Sequence, residues 1–74
     1  MAAVLHLIKG ADSTLARAVI ARGLAAGDRV TVALLPGAAA PDLPPGVTAH
    51  RVRADLTWDR LLELIFESDQ VIAW

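Results

Sequence analysis

Two short stretches, Ala3 to Ile8 and residues 30–35, are apolar almost without interruption. A strand with one wet face alternates apolar and polar residues, whereas an unbroken run needs cover on both faces, as in a parallel sheet. Parallel neighbours also require a long crossover, usually a helix, and the residues between the runs have that character. Lys9-Gly10-Ala11 turns the chain, and Asp12 or Ser13 can cap a helix over about residues 14–26. Leu15, Val19, Ile20 and Leu24 form its apolar side, while Arg17 points elsewhere. Gly23 weakens it locally, and Gly27 can end it because glycine accepts positive φ. Asp28-Arg29 then leads into Val30-Thr31-Val32-Ala33-Leu34-Leu35, β-branched at its start. The expectation is a βαβ unit with a right-handed crossover. His6 lies inside the first run and is expected as a buried neutral imidazole with one backbone partner.

Residues 36–46 interrupt this pattern. They hold all four prolines, the Ala38-Ala39-Ala40 run and the stop signal Pro44-Pro45-Gly46. Residues 47–52 follow as a shorter strand whose Thr48, His50 and Arg51 mark it as an edge. The last nineteen residues, 56–74, supply a helix and a final strand. Thr57 can cap that helix, Leu56 and Leu61 are spaced as a hydrophobic staple, and Asp59 suits the positive end of its dipole. Leu61, Leu62, Ile65 and Phe66 read as one apolar face. Ser68 and Asp69 mark the exit, and residues 71–74 read as a buried strand ending on Trp74. The expected fold is α/β: one domain over residues 1–74, ordered β-α-β, loop, β-α-β, with a mostly parallel four-stranded sheet in a three-layer arrangement.

A chain of 74 residues buries only about 60% of its unfolded surface. It has no cysteine with which to staple itself, yet 55% of its residues are hydrophobic, above the ordinary apolar share of roughly 45–50%. That combination predicts burial between subunits, in a homo- or hetero-oligomer. Trp58, Trp74 and the proline loop, with Ala39 and Leu43, are the expected contact surfaces. The formal net charge of −1 gives no general attraction to nucleic acid or anionic membrane. The apolar start lacks a basic lead-in and is too short to span a bilayer, so a cytoplasmic protein is expected.

Without cysteine there is no thiolate nucleophile, persulfide carrier or thiolate metal ligand. His6 and His50 fall on different expected strands with no carboxylate cluster beside them, which argues against a metal site, and no cofactor is expected. The Lys9-Gly10-Ala11-Asp12-Ser13-Thr14 turn occupies the place where α/β sheets receive anions. It lacks the glycine pattern of a phosphate loop, and Asp12 would repel a phosphate. A capped turn explains it, and a small nucleotide- or anion-binding domain is the alternative. Arg51 and Arg53, with His50 beside them and Arg60 nearby in sequence, form a small basic group best read as a solvated strand end.

Three segments together resemble the DsrE/DsrF/DsrH-like sulfur-relay family, in particular its DsrH/TusB-type small subunits. Val4-Leu5-His6 is similar to the Leu-His pair near the start of those subunits. Gly27-Asp28, the second strand and Pro36-Gly37 are similar to the family's helix end, strand and turn. Residues 58–64 and Glu67-Ser68-Asp69-Gln70-Val71-Ile72-Ala73-Trp74 resemble its C-terminus, where an aromatic opens the last helix and the chain closes on Ala-Trp. The chain is shorter than these relatives between strands two and three. Where some of them carry a cysteine on the first helix, residues 18–21 here read Ala-Val-Ile-Ala. The resemblance implies an α/β subunit that assembles with DsrE-like and DsrF-like sulfurtransferase chains, in tRNA 2-thiolation (wobble-uridine modification) or in sulfur oxidation. Having no thiol, this chain would be a non-catalytic member, and no catalytic residue is carried over. A homo-oligomeric scaffold is a further alternative.

Overall fold

A computed structural model describes residues 2–10, 14–38, 43–54 and 56–74. Four strands, β1 (Ala3–Ile8), β2 (Arg29–Leu34), β3 (Thr48–Arg51) and β4 (Gln70–Ala73), form one parallel sheet in the order β3-β2-β1-β4. The two apolar runs are its centre. Helix α1 (Thr14–Ala25) connects β1 to the adjacent β2, and helix α2 (Trp58–Glu67) carries the chain from β3 at one edge to β4 at the other. The expected α/β class and element order are therefore observed, and the strand pairs of this sheet are all parallel.

The twofold alternation of a strand splits the core into two layers. On one face Ile8, Val30, Val32 and Leu34 pack with Ala16 and Ile20 of α1 and with Ala38. On the other, Leu5 and Ala33 pack with Val52, Leu56 and Leu61, backed by Leu64 and Ile65 of α2. Helix α1 lies chiefly over β2, whereas α2 contacts β1 from the opposite side.

The start of β1 is clamped from both neighbours. An Asp69 carboxylate oxygen accepts from the Ala3 amide at 2.7 Å, and an Asp28 carboxylate oxygen accepts from the Ala2 amide at 3.3 Å. Each aspartate stands just before a strand that flanks β1, so its short side chain extends the ladder by one bond. Helix α2 begins as expected. The Thr57 hydroxyl accepts from the Arg60 amide at 3.1 Å, and Leu56 and Leu61 join the same core layer. At its other end the Ser68 hydroxyl donates to the Leu64 carbonyl at 2.6 Å, filling one of the carbonyls that a helix terminus leaves open. Gly27 closes α1 at φ +89°.

Several expectations need correction. Leu62 and Phe66 do not share the buried face of α2: they are 54% and 80% exposed, and Leu64 takes the inward position beside Leu61 and Ile65. Leu15 is 66% exposed, and Ala16 packs inward in its place. Strand β4 is the edge strand of this sheet, and Val71 and Ala73 are exposed because α2 packs on that face over β1 and leaves β4 uncovered. His6 is buried, but its partner is a side chain, the Trp74 indole, and not the backbone.

Candidate functional site

The residues singled out as contact surfaces fall in different places. Trp58 opens α2 on one side of the sheet, 47% exposed. Trp74 follows β4 and packs against the opposite layer with Leu43, both half-buried. Ala39, together with Asp12 and Ser13 of the anion-type turn, lies outside the described residues; Lys9 and Gly10 of that turn are exposed. The two tryptophans thus do not form one patch, and of the loop residues singled out only Leu43 is placed beside one of them, Trp74.

What the fold does build on α2 is a stripe. Trp58, Leu62 and Phe66 are four residues apart, so they align along the helix. Together with Leu61, Leu64 and Ile65 they give α2 an apolar arc of about 200° at 100° per residue, about twice the width needed to bury one face. The core takes the Leu61–Leu64–Ile65 part. The Trp58–Leu62–Phe66 part is left to solvent. Asp59, Arg60, Glu63 and Glu67 complete the circumference. Arg60 bridges Glu63 at 3.5 Å and Glu67 at 3.0 Å, pairs too exposed to add much stability.

The basic residues disperse. Arg51 Nη1 donates to the Ala38 carbonyl at 3.0 Å, tying β3 to the loop that leaves β2. Arg53 adopts φ 74° and lays its guanidinium 5.8 Å from the centroid of Trp58. With Arg60 engaged by its own helix, Arg51, Arg53 and Arg60 each make a separate local contact.

On the other face, His6 is 2% exposed. Its Nδ1 accepts a 3.0 Å hydrogen bond from Trp74 Nε1. The ring planes lie within 11° of each other with centroids 6.1 Å apart, an edge-to-edge arrangement suited to an in-plane bond. An indole N–H only donates, so Nδ1 must present its lone pair and the neutral ring carries its proton on Nε2. Burial also pushes the His6 pKa below its ordinary value, favouring that neutral form. Beside His6, between α1 and β4, opens a cleft of about 300 Å³. It arises because α1 covers β2 and leaves this part of the sheet face uncapped. Val4, Val19, Val30 and Ile72 supply apolar walls, and Arg22, Asp28 and Gln70 supply polar rims.

Sequence reasoning found His6 and both tryptophans but missed this pairing, which joins residues 68 apart in the chain. The only available signal was the parallel register: once His6 pairs with Ile72, Trp74 shares its face two residues on. Among the described residues there is no cluster of histidine and carboxylate groups able to hold a metal ion, and no helix is long and apolar enough to cross a membrane. Neither a family model, nor a curated protein, nor a solved structure matches this chain.

Proposed function

We propose that this chain is a non-catalytic, assembly-forming subunit of a sulfur-relay complex, docking on cysteine-bearing DsrE-like and DsrF-like chains through the outer flank of α2. The observation that carries the docking role is the Trp58–Leu62–Phe66 stripe, three large apolar side chains aligned on one helix and 47%, 54% and 80% exposed. Aromatic and leucine side chains left in water are the raw material of an interface core. Asp59 and Glu63, next to the stripe on the helix circumference, favour a partner with a basic rim. The assignment to sulfur relay is supported by the likeness of residues 58–64 and 67–74 to the end of DsrH/TusB-type subunits. Because this chain has no cysteine, the persulfide would travel on its partners' thiols, and this subunit would shape the assembly around them. In this reading it works in the cytoplasm, in tRNA 2-thiolation or sulfur oxidation.

Co-expression with DsrE-like and DsrF-like chains encoded in neighbouring genes tests the proposal. The expected result is co-purification of a stoichiometric complex, which Leu62→Glu and Phe66→Glu dissolve while leaving the isolated chain folded. A buried unpaired carboxylate at such an interface should weaken association by about a hundredfold or more. A chain that stays monomeric beside such partners would overturn the reading. A self-associated chain that ignores them would replace it with a homo-oligomeric scaffold.

A further inference from the structure

The cleft beside His6 contains a feature that core packing does not require. His6 is 98% buried, counting from its 2% exposure, yet only its Nδ1 is used, by Trp74. Its Nε2 has no protein partner, and no buried side-chain nitrogen or oxygen among the described residues is both sealed from solvent and unbonded. Nε2 therefore keeps some solvent access, and the cleft that His6 lines is the opening beside it. The two ring nitrogens point in widely different directions, so Trp74 on one side directs the Nε2–H toward the other. Trp74 thereby fixes a donor, not an acceptor, at the floor of the cleft.

The surroundings restrict what this donor would meet. Val4, Val19, Val30 and Ile72 offer branched aliphatic walls. Arg22 and Asp28 stand on the same cleft without an ion pair between them; the described ion pairs all involve Arg60. One Asp28 oxygen, Oδ1, is used by the Ala2 amide, leaving Oδ2 over the Gly23 side of the cleft. A cation, an anion and a neutral N–H donor around an aliphatic floor match a ligand with both charges and a short apolar body. The volume of about 300 Å³ lies at the small end of ligand pockets.

We propose that this cleft binds a small zwitterion with an aliphatic side chain, an α-amino acid of the size of valine or leucine. Its carboxylate would take the His6 Nε2–H and Arg22, its ammonium would face Asp28 and Gln70, and its side chain would lie on Val4, Val19, Val30 and Ile72. The cleft sits by the starts of β1 and β4, at the opposite end of the strands from the crevice where open α/β sheets ordinarily take ligands. It is also on the other face from the α2 stripe, so it stands independently of the docking role.

Titration of the intact chain with L-leucine, followed by methyl chemical shifts, tests this. The expected result is saturable shifts confined to Val4, Val19, Val30 and Ile72, with millimolar or tighter affinity. Isovalerate and isopentylamine, each carrying one of the two charges, should bind about tenfold or more weakly, since each loses a charge-assisted contact. Arg22→Gln, an exposed position whose change should leave the fold intact, should weaken L-leucine to a similar degree. His6→Phe removes the donor; should it unfold the chain, Arg22→Gln and the two analogues still decide the matter. No saturable shift at 20-fold above about 1 mM, equal binding of all three compounds, or shifts outside the cleft would overturn the proposal.

Discussion

The two tryptophans began with equal standing as apolar surfaces in search of cover, and the fold treats them in opposite ways. Trp74 is half-buried against the α1-side core and gives its indole N–H to His6 at 3.0 Å. Trp58 stays 47% exposed on α2, touched by the Arg53 guanidinium 5.8 Å from its ring centroid. The first ring has a structural explanation inside its own chain. The second has only a partial one, and it continues into Leu62 and Phe66, which are more exposed still. A bulky aromatic thus points to a partner only after its intramolecular contacts have been accounted for. By that measure the case for docking rests on Trp58 and its helix, and no longer on Trp74.

Replacing each ring would sharpen this contrast. Trp74→Ala should cost about 2–4 kcal/mol, combining lost packing with an acceptor left without its donor, and Trp74→Phe about 1–2 kcal/mol, because it removes the N–H and part of the ring system but keeps an aromatic ring in the site. Urea denaturation measures both, and equal stability of Trp74→Phe and the parent chain would show that the indole–imidazole bond adds nothing. Acid should act through the same pair. The unfolded chain protonates His6 near its ordinary value of 6.5, whereas the folded chain, with the group buried, protonates it at lower pH. Between those values the unfolded state binds the extra proton, so stability is complete above about pH 6.5 and falls as the pH drops toward the folded value. Arg22 and Asp28 face His6 across the cleft and have opposite charges. Melting temperature against pH, measured for the parent chain and for His6→Gln, should show a fall below pH 6.5 that the variant lacks. Trp58→Ala should change stability least, by less than about 1 kcal/mol, since it removes an exposed ring and one cation–π contact. A larger loss would mean that Trp58 anchors α2 and is not a spare surface.

Much of the architecture was legible because it depends on local chemistry. The unbroken runs at Ala3–Ile8 and in β2 required cover on two faces, and the sheet provides it. Thr57 capped the helix that its hydroxyl could cap, and Gly27 stopped the helix at the positive φ expected of it. Less could be read from α2, whose apolar arc is broader than one buried face needs. Periodicity finds an apolar face in Leu61, Leu62, Ile65 and Phe66 but does not choose the part turned inward, and in the fold Leu64 takes the inward position while Leu62 and Phe66 stay exposed. The cleft was hidden for another reason. It is the space left where α1 covers β2 but not β4, and its lining comes from four separate stretches of the chain, β1, α1, the start of β2 and β4.

The sequence alone determined the kinds of element, their order and the parallel character of the central pair, because strand burial, capping and turn chemistry act over a few residues. Tertiary structure decided that β4 would cross to the far side of β1, that His6 would meet Trp74, and that α2 would keep three large side chains outside. Those outcomes depend on register and on which helix flank meets the sheet. Both are settled by contacts between residues distant in the chain, and no local pattern encodes them.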